Sequence, residues 1–196
     1  SGFETTAIIM SWSLYLLADT SGAHHDLKHT FQNLPKGKSL TFDDLPRLEG
    51  LRCFVEEVMR LYPTSALMSR QAIKEDRIDG IVIPKGSLIE MNIWKTHRHP
   101  DFWDSPDDFS PERFLVRNSA GRHKHAYLPF GAGPRVCIGK TLSMVQFQLC
   151  LATILRELHF TPLKDGLPRI IGASSMQPEG PLQVNISLGK HHSIPS

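Results

Sequence analysis

The stretch Phe130-Gly131-Ala132-Gly133-Pro134-Arg135-Val136-Cys137-Ile138-Gly139 concentrates the residues best suited to chemistry. Its three glycines and one proline build a tight, irregular loop whose backbone can approach another object closely. The loop delivers Cys137 just ahead of a long apolar helix, where unpaired N–H groups and the helix dipole favour negative charge and hence a thiolate. With Phe130 and Arg135 nearby, such a sulfur suits a nucleophile or a metal ligand. The competing reading is a small buried hydrophobe, the usual role of a free cysteine.

Three other groups invite comparison. Glu57 and Arg60 lie about 60° apart on a helix, away from its apolar stripe, so periodicity alone predicts an exposed i,i+3 pair. Glu4, Thr5 and Thr6 are polar residues embedded in the first turns of an otherwise apolar helix, where a threonine often bonds back to the i−4 carbonyl and bends it. The ten histidines include His97-x-His99 and His123-x-His125. A zinc site needs three or four suitably spaced ligands, and the cysteines do not supply the remainder. These histidines, with His24-His25 and His191-His192, therefore read as solvated residues.

The elements that position these groups follow from the spacing of apolar residues. Residues 3–17 are apolar on most sides and predict a buried helix. A polar segment, Asp19 to Lys38, carries a predicted helix around 24–33. Asp43-Asp44-Leu45-Pro46 reads as an N-cap and first-turn proline. The helix it opens presents Leu51, Phe54, Val55, Val58 and Tyr62 on one face and stops at Pro63. Between 66 and 94 the period changes to short strands with Gly/Pro turns, as in residues 79–86 and 87–91. Thr96 to Pro134 is about 40 residues of Pro-, Gly-, Asp- and His-rich loop, a length that points to function. A second long helix spans about Gly139 to Leu158, and Leu182 to Ile186 suggests a terminal hairpin.

Composition bounds the class. The 196 residues are 40% hydrophobic and 21% charged, which excludes wholesale disorder, a collagen-like fibre and a coiled-coil rod. A net charge of +2 leaves no electrostatic footprint for nucleic acid. Cys53, Cys137 and Cys150 form no CxxC pair and no disulfide framework, so at least one thiol is free. Ser1-Gly2-Phe3-Glu4 lacks the basic start of a signal peptide, and the most apolar run, Ala7 to Ala18, is short of the roughly 20 residues a bilayer requires. The chain opens inside a helix with no cap ahead of it, and missing upstream residues are expected.

The ten-residue loop resembles the haem-binding motif F-x-x-G-x-R-x-C-x-G of the cytochrome P-450 family at every fixed position. Glu57-Val58-Met59-Arg60 resembles its E-x-x-R motif, and Phe109-Ser110-Pro111-Glu112-Arg113-Phe114 its F-x-P-E-R-F segment. Ser1-Gly2-Phe3-Glu4-Thr5-Thr6 is similar to its oxygen-activating motif A/G-G-x-D/E-T-T, with serine in first place. All four occur in the family's order, and the resemblance covers essentially the whole chain.

The resemblance implies a mainly α fold with small β-sheets, residues 1–196 being the C-terminal portion of one haem-thiolate monooxygenase domain whose N-terminal half is missing. It implies haem b (iron protoporphyrin IX) held by Cys137 as axial thiolate. Gly133 and Gly139 would let backbone approach the porphyrin, Phe130 would shield the sulfur, and Arg135 and Arg70 would pair with the propionates. Thr5 and Glu4 would deliver protons on the opposite face; Glu57, Arg60 and Arg113 would form a buried structural network that holds the haem-side loop.

The implied reaction inserts one oxygen atom of O2 into an organic, mostly apolar small molecule, with electrons from a flavoprotein reductase or a ferredoxin. A fragment that binds haem weakly or without turnover is the alternative. The resemblance does not fix a location: it implies a cytoplasmic one if the source is a bacterium, and anchoring to a membrane through a missing N-terminus if it is a eukaryote.

Overall fold

The computed structural model describes residues 2–19, 27, 30, 34, 38–163, 166–172 and 176–188. Three helices build its centre: α1 (Glu4–Asp19), α2 (Glu49–Leu61) and a third, later in the chain, at Lys140–Glu157. Their apolar faces meet around Trp12, Leu51, Phe54, Val58 and Leu151, all essentially inaccessible to water. The Trp12 ring stacks on Tyr62 with centroids 4.0 Å apart, joining α1 to the end of α2.

The expectation that α1 is buried all round holds only for its second half. Trp12, Ser13 and Tyr15 to Ala18 are buried, whereas Phe3, Glu4 and Ala7 face outward. The helix expected around 24–33 lies almost wholly outside the described residues, as do the pairs His24-His25 and His191-His192.

The start of α2 also differs from the expectation. Thr41, rather than Asp43 or Asp44, precedes the first turn, and Phe42–Leu48 is a 3-10 helix with Pro46 inside it. The carboxylate of Asp44 accepts the N–H of Thr41 at 2.9 Å, satisfying a donor that no helical carbonyl reaches. The α-helix proper begins only at Glu49. Its predicted apolar face is in the core, but Glu57, Met59 and Arg60 on the other side are buried too.

Four two-stranded antiparallel sheets flank the helices among the described residues. Strand β1 (Leu67–Gln71) pairs with β4 (Leu88–Asn92), with Arg70 opposite Ile89. Between them β2 (Asp76–Ile78) and β3 (Ile81–Ile83) form a hairpin whose turn residues, Asp79 and Gly80, both have positive φ, as a two-residue hairpin turn requires. The long segment that follows is mostly irregular, as expected, but contains α3 (Ile93–Thr96), a 3-10 turn at Pro111–Phe114 and α4 (Val116–Ser119). It wraps a second apolar cluster, Cys53, Trp103, Phe114 and Ala126, against α2.

The helix Lys140–Glu157, now α5, runs directly into β5 (Leu158–Pro162). The last strand, β8 (Val184–Leu188), pairs with β5 rather than with a neighbour in a terminal hairpin. The short hairpin of β6 (Ile170–Ile171) and β7 (Gln177–Pro178) lies between them in the chain. No helix among the described residues is long and apolar enough to cross a membrane.

Candidate functional site

The loop before α5 closes on itself through main-chain hydrogen bonds. The Cys137 N–H donates to the Phe130 carbonyl at 2.9 Å, Val136 N–H to Gly133 at 3.1 Å, and Gly131 N–H to Leu128 at 3.1 Å. Gly131 and Gly133 sit at φ 73° and 70°, a region that side-chain-bearing residues rarely occupy. Gly139 differs, since its φ of −81° is open to any residue; a Cβ there would meet Cys137 Sγ at an ordinary 3.8 Å. Cys137 itself is exposed, three residues before the first residue of α5.

This loop forms one wall of a cleft of about 290 Å³. Cys137, Phe130 and Arg135 line it from the loop, Arg70 from β1, and Thr5 from α1. Stretches distant in sequence thus converge with the loop, and α5, which follows it directly, adds Ser143 and Phe147. Glu4 is exposed and is not among the lining residues. Thr6 reaches the cleft while its hydroxyl bonds back to the Gly2 carbonyl at 3.1 Å. Arg70 and Arg135 are both exposed, and the Arg70 guanidinium donates to the Ser69 carbonyl at 2.8 Å. The lining offers one thiol, two guanidinium groups, the rings of Phe130 and Phe147 and several hydroxyls, a set that suits an apolar, dianionic, metal-bearing ligand.

Behind the loop, Glu57 and Arg60 are fully buried rather than exposed as helical periodicity suggested. Arg60 grips the carboxylate bidentately, Nε to Oε2 at 2.7 Å and Nη2 to Oε1 at 2.8 Å. Its remaining N–H groups donate to the carbonyls of His97 at 2.9 Å, Pro106 at 2.6 Å and Asp108 at 3.0 Å. Glu57 Oε1 also accepts the Ser110 N–H at 2.8 Å and Arg113 Nε at 3.1 Å. Arg113 reaches on to the Asp104 carbonyl at 2.8 Å. Every donor of Arg60 is therefore satisfied, the condition under which a buried charge is tolerated.

His97 corrects another expectation. It is buried, not solvated, with Nε2 accepting the Leu128 N–H at 2.8 Å and Nδ1 3.3 Å from the Arg60 carbonyl. Burial, with the positive charges of Arg60 and Arg98 adding to it, drives its pKa down to about 4. The available signal was its place four residues after Ile93, on the same face of a helical turn as that buried residue.

Known proteins resemble this chain over most of its length. The sequence model described as "Cytochrome P450" matches residues 1–186. The chain is 33% identical to cytochrome P450 3A13 of Mus musculus over 193 residues, 95% of this chain and 38% of that protein. It is 35% identical to probable cytochrome P450 4p2 of Drosophila melanogaster over 170 residues, 84% of this chain and 32% of that protein. Identity to cytochrome P450 3A19 of Capra hircus aegagrus is 33%, covering 95% of this chain and 87% of that sequence. The chain thus spans well under half the length of most of the curated relatives it matches.

Proposed function

This chain belongs to the cytochrome P450 family, and from that membership we propose that it is the haem-binding part of a monooxygenase acting on an organic, mostly apolar small molecule with O2 as co-substrate. The observation that carries this reading is the cleft that gathers Cys137, Phe130, Arg135, Arg70 and Thr5. When bound, haem b supplies oxygen activation, and a thiolate ligand donates the electron density that favours O–O cleavage.

The chain's own residues then have these roles. Cys137 presents its sulfur from a loop whose backbone bonds leave the side chain outward. Arg135 and Arg70, on two walls of the cleft, bind and orient a pair of carboxylates. Phe130 keeps water from the sulfur. Gly133 allows the turn that brings backbone close to the ligand, and Gly139 leaves the space beside the sulfur open. Thr5 holds a proton at its hydroxyl on the cleft wall, and exposed Glu4 exchanges it with solvent. Glu57, Arg60 and Arg113 are not among the residues that line the cleft; their part is to fix the segment 97–113 behind it.

Electrons come from a flavoprotein reductase or a ferredoxin in this reading. The animal sources of the relatives favour a membrane-anchored setting for the whole protein, of which residues 1–196 are the C-terminal part. A second reading, haem binding without turnover, is favoured by one feature: the chain covers 38% of the length of cytochrome P450 3A13.

The test is the reduced carbon-monoxide difference spectrum of the haem-loaded protein. A thiolate-type Soret band that Cys137→Ala abolishes supports the assignment; an unchanged spectrum in that variant removes it. Turnover of an apolar substrate with reductase present separates the two readings.

A further inference from the structure

The Cys137 loop has no side chain bonded directly to the Glu57–Arg60 pair, yet one residue connects them. His97 takes the Leu128 N–H on Nε2 at 2.8 Å. An amide can only donate, so Nε2 is bare and the proton is on Nδ1, where it faces the Arg60 carbonyl at 3.3 Å. The His97 carbonyl in turn accepts from the Arg60 guanidinium at 2.9 Å. Leu128 precedes Pro129 and Phe130, and the Phe130 carbonyl receives the Cys137 N–H at 2.9 Å. The result is a path of hydrogen bonds, bridged by the short backbone run from Leu128 to Phe130, from the buried ion pair to the backbone of the cysteine.

We infer that His97 is a positioning residue: as the Nδ1–H tautomer braced on Arg60, it fixes the Leu128 amide and with it the entry of the loop that presents Cys137. Proline at 129 gives the anchor its importance. It donates no hydrogen bond, so Leu128 provides the last amide before the ring closed by Phe130 and Cys137. The His97 ring also lies 5.2 Å from that of Tyr127, whose hydroxyl donates to the Glu56 carbonyl at 2.9 Å. The approach to the loop is thus held at two successive residues, and only the second hold requires an unprotonated imidazole nitrogen. The bearing of this anchor on sulfur ligation rests on the reading of Cys137 as haem ligand; the anchor itself does not.

The test compares His97→Gln with His97→Met in the haem-loaded protein. The two side chains are similar in size, but only glutamine offers an oxygen to the Leu128 N–H. Exchange of the Leu128 amide with deuterated water should accelerate about tenfold in the methionine variant, the effect of one lost hydrogen bond, and stay near wild type with glutamine. The thiolate-type Soret band should weaken with methionine and be restored with glutamine. Equal Leu128 exchange in both variants overturns the inference. Should neither variant fold, nitrogen-15 NMR of histidine in the wild-type protein near neutral pH decides it: protonated Nδ1 with bare Nε2 supports the anchor, and protonated Nε2 overturns it. A Leu128 response in a protein that shows no thiolate band would sustain the anchor and remove the haem reading.

Discussion

Arg60 and His97 hold each other at both ends. The arginine guanidinium donates to the histidine carbonyl at 2.9 Å, and the histidine Nδ1 faces the arginine carbonyl at 3.3 Å. α2 and the segment after α3 are therefore joined twice through the same two residues, and both bonds are shielded from water.

Removing either charge of the Glu57–Arg60 pair leaves the other buried and unpaired. Arg60→Leu and Glu57→Gln should each cost about 3–5 kcal/mol of unfolding free energy in urea titration. Arg60→Lys should recover little of it, because an ammonium has three donors and cannot span a carboxylate and three carbonyls together. A loss below about 1 kcal/mol for Arg60→Leu would mean the pair is no more than a surface ion pair.

His97 sets a pH dependence. Its pKa is about 4 when folded against an ordinary 6.5, so between those values the unfolded chain binds more protons. The stability contribution is complete above pH 6.5 and is lost as the pH falls toward 4, amounting to about 3 kcal/mol. The difference in unfolding free energy between wild type and His97→Gln should therefore shift in favour of the variant as the solution is acidified. Parallel pH profiles would show that the imidazole is not held neutral.

Thiol reactivity should sort the three cysteines. Cys150 is exposed and should alkylate readily with or without haem. Cys53 is buried, and desolvation pushes its thiol up to about 11, so it should react only on unfolding. Cys137 is exposed in the chain alone and should label there but be protected once haem is added. Mass spectrometry of iodoacetamide adducts reads all three, and labelling of Cys137 in the haem-loaded protein would contradict its proposed ligation.

Two glycines of the loop should respond differently to alanine. At Gly133 a Cβ meets nothing within 4 Å, so Gly133→Ala isolates the backbone cost of positive φ, about 1 kcal/mol. Gly139→Ala, at an ordinary φ and with contacts no closer than 3.7 Å, should change the stability of the haem-free protein by less than about 0.5 kcal/mol. Thermal melts of the two variants would reverse this order only if the loop re-forms differently.

The parts legible in the sequence are those that depend on neighbours along the chain. The apolar spacing of α2, the long run of α5 and the glycine-rich loop all appear where expected. What escaped depends on contacts between distant segments. Glu57 and Arg60 are off the apolar stripe, and they are buried because the carbonyls of residues 97–108 and the amide of Ser110 fold over them. His97 is buried by the same wrapping. The partner of the last strand lies more than twenty residues upstream, a pairing that no local pattern encodes. The residues of the cleft were each identifiable singly; that Thr5 and Arg70 share it with Cys137 is a property of the fold.

The bond from the Cys137 amide to the Phe130 carbonyl makes the sulfur's placement a property of eight consecutive residues. Such a ring is a socket whose entry is held from outside, by His97 on the Leu128 amide. The start of α1, which brings Thr5 and Thr6 to the same cleft, is a separate stretch of chain, so a change of side chain there can reshape that wall without retooling the bracket that presents the sulfur.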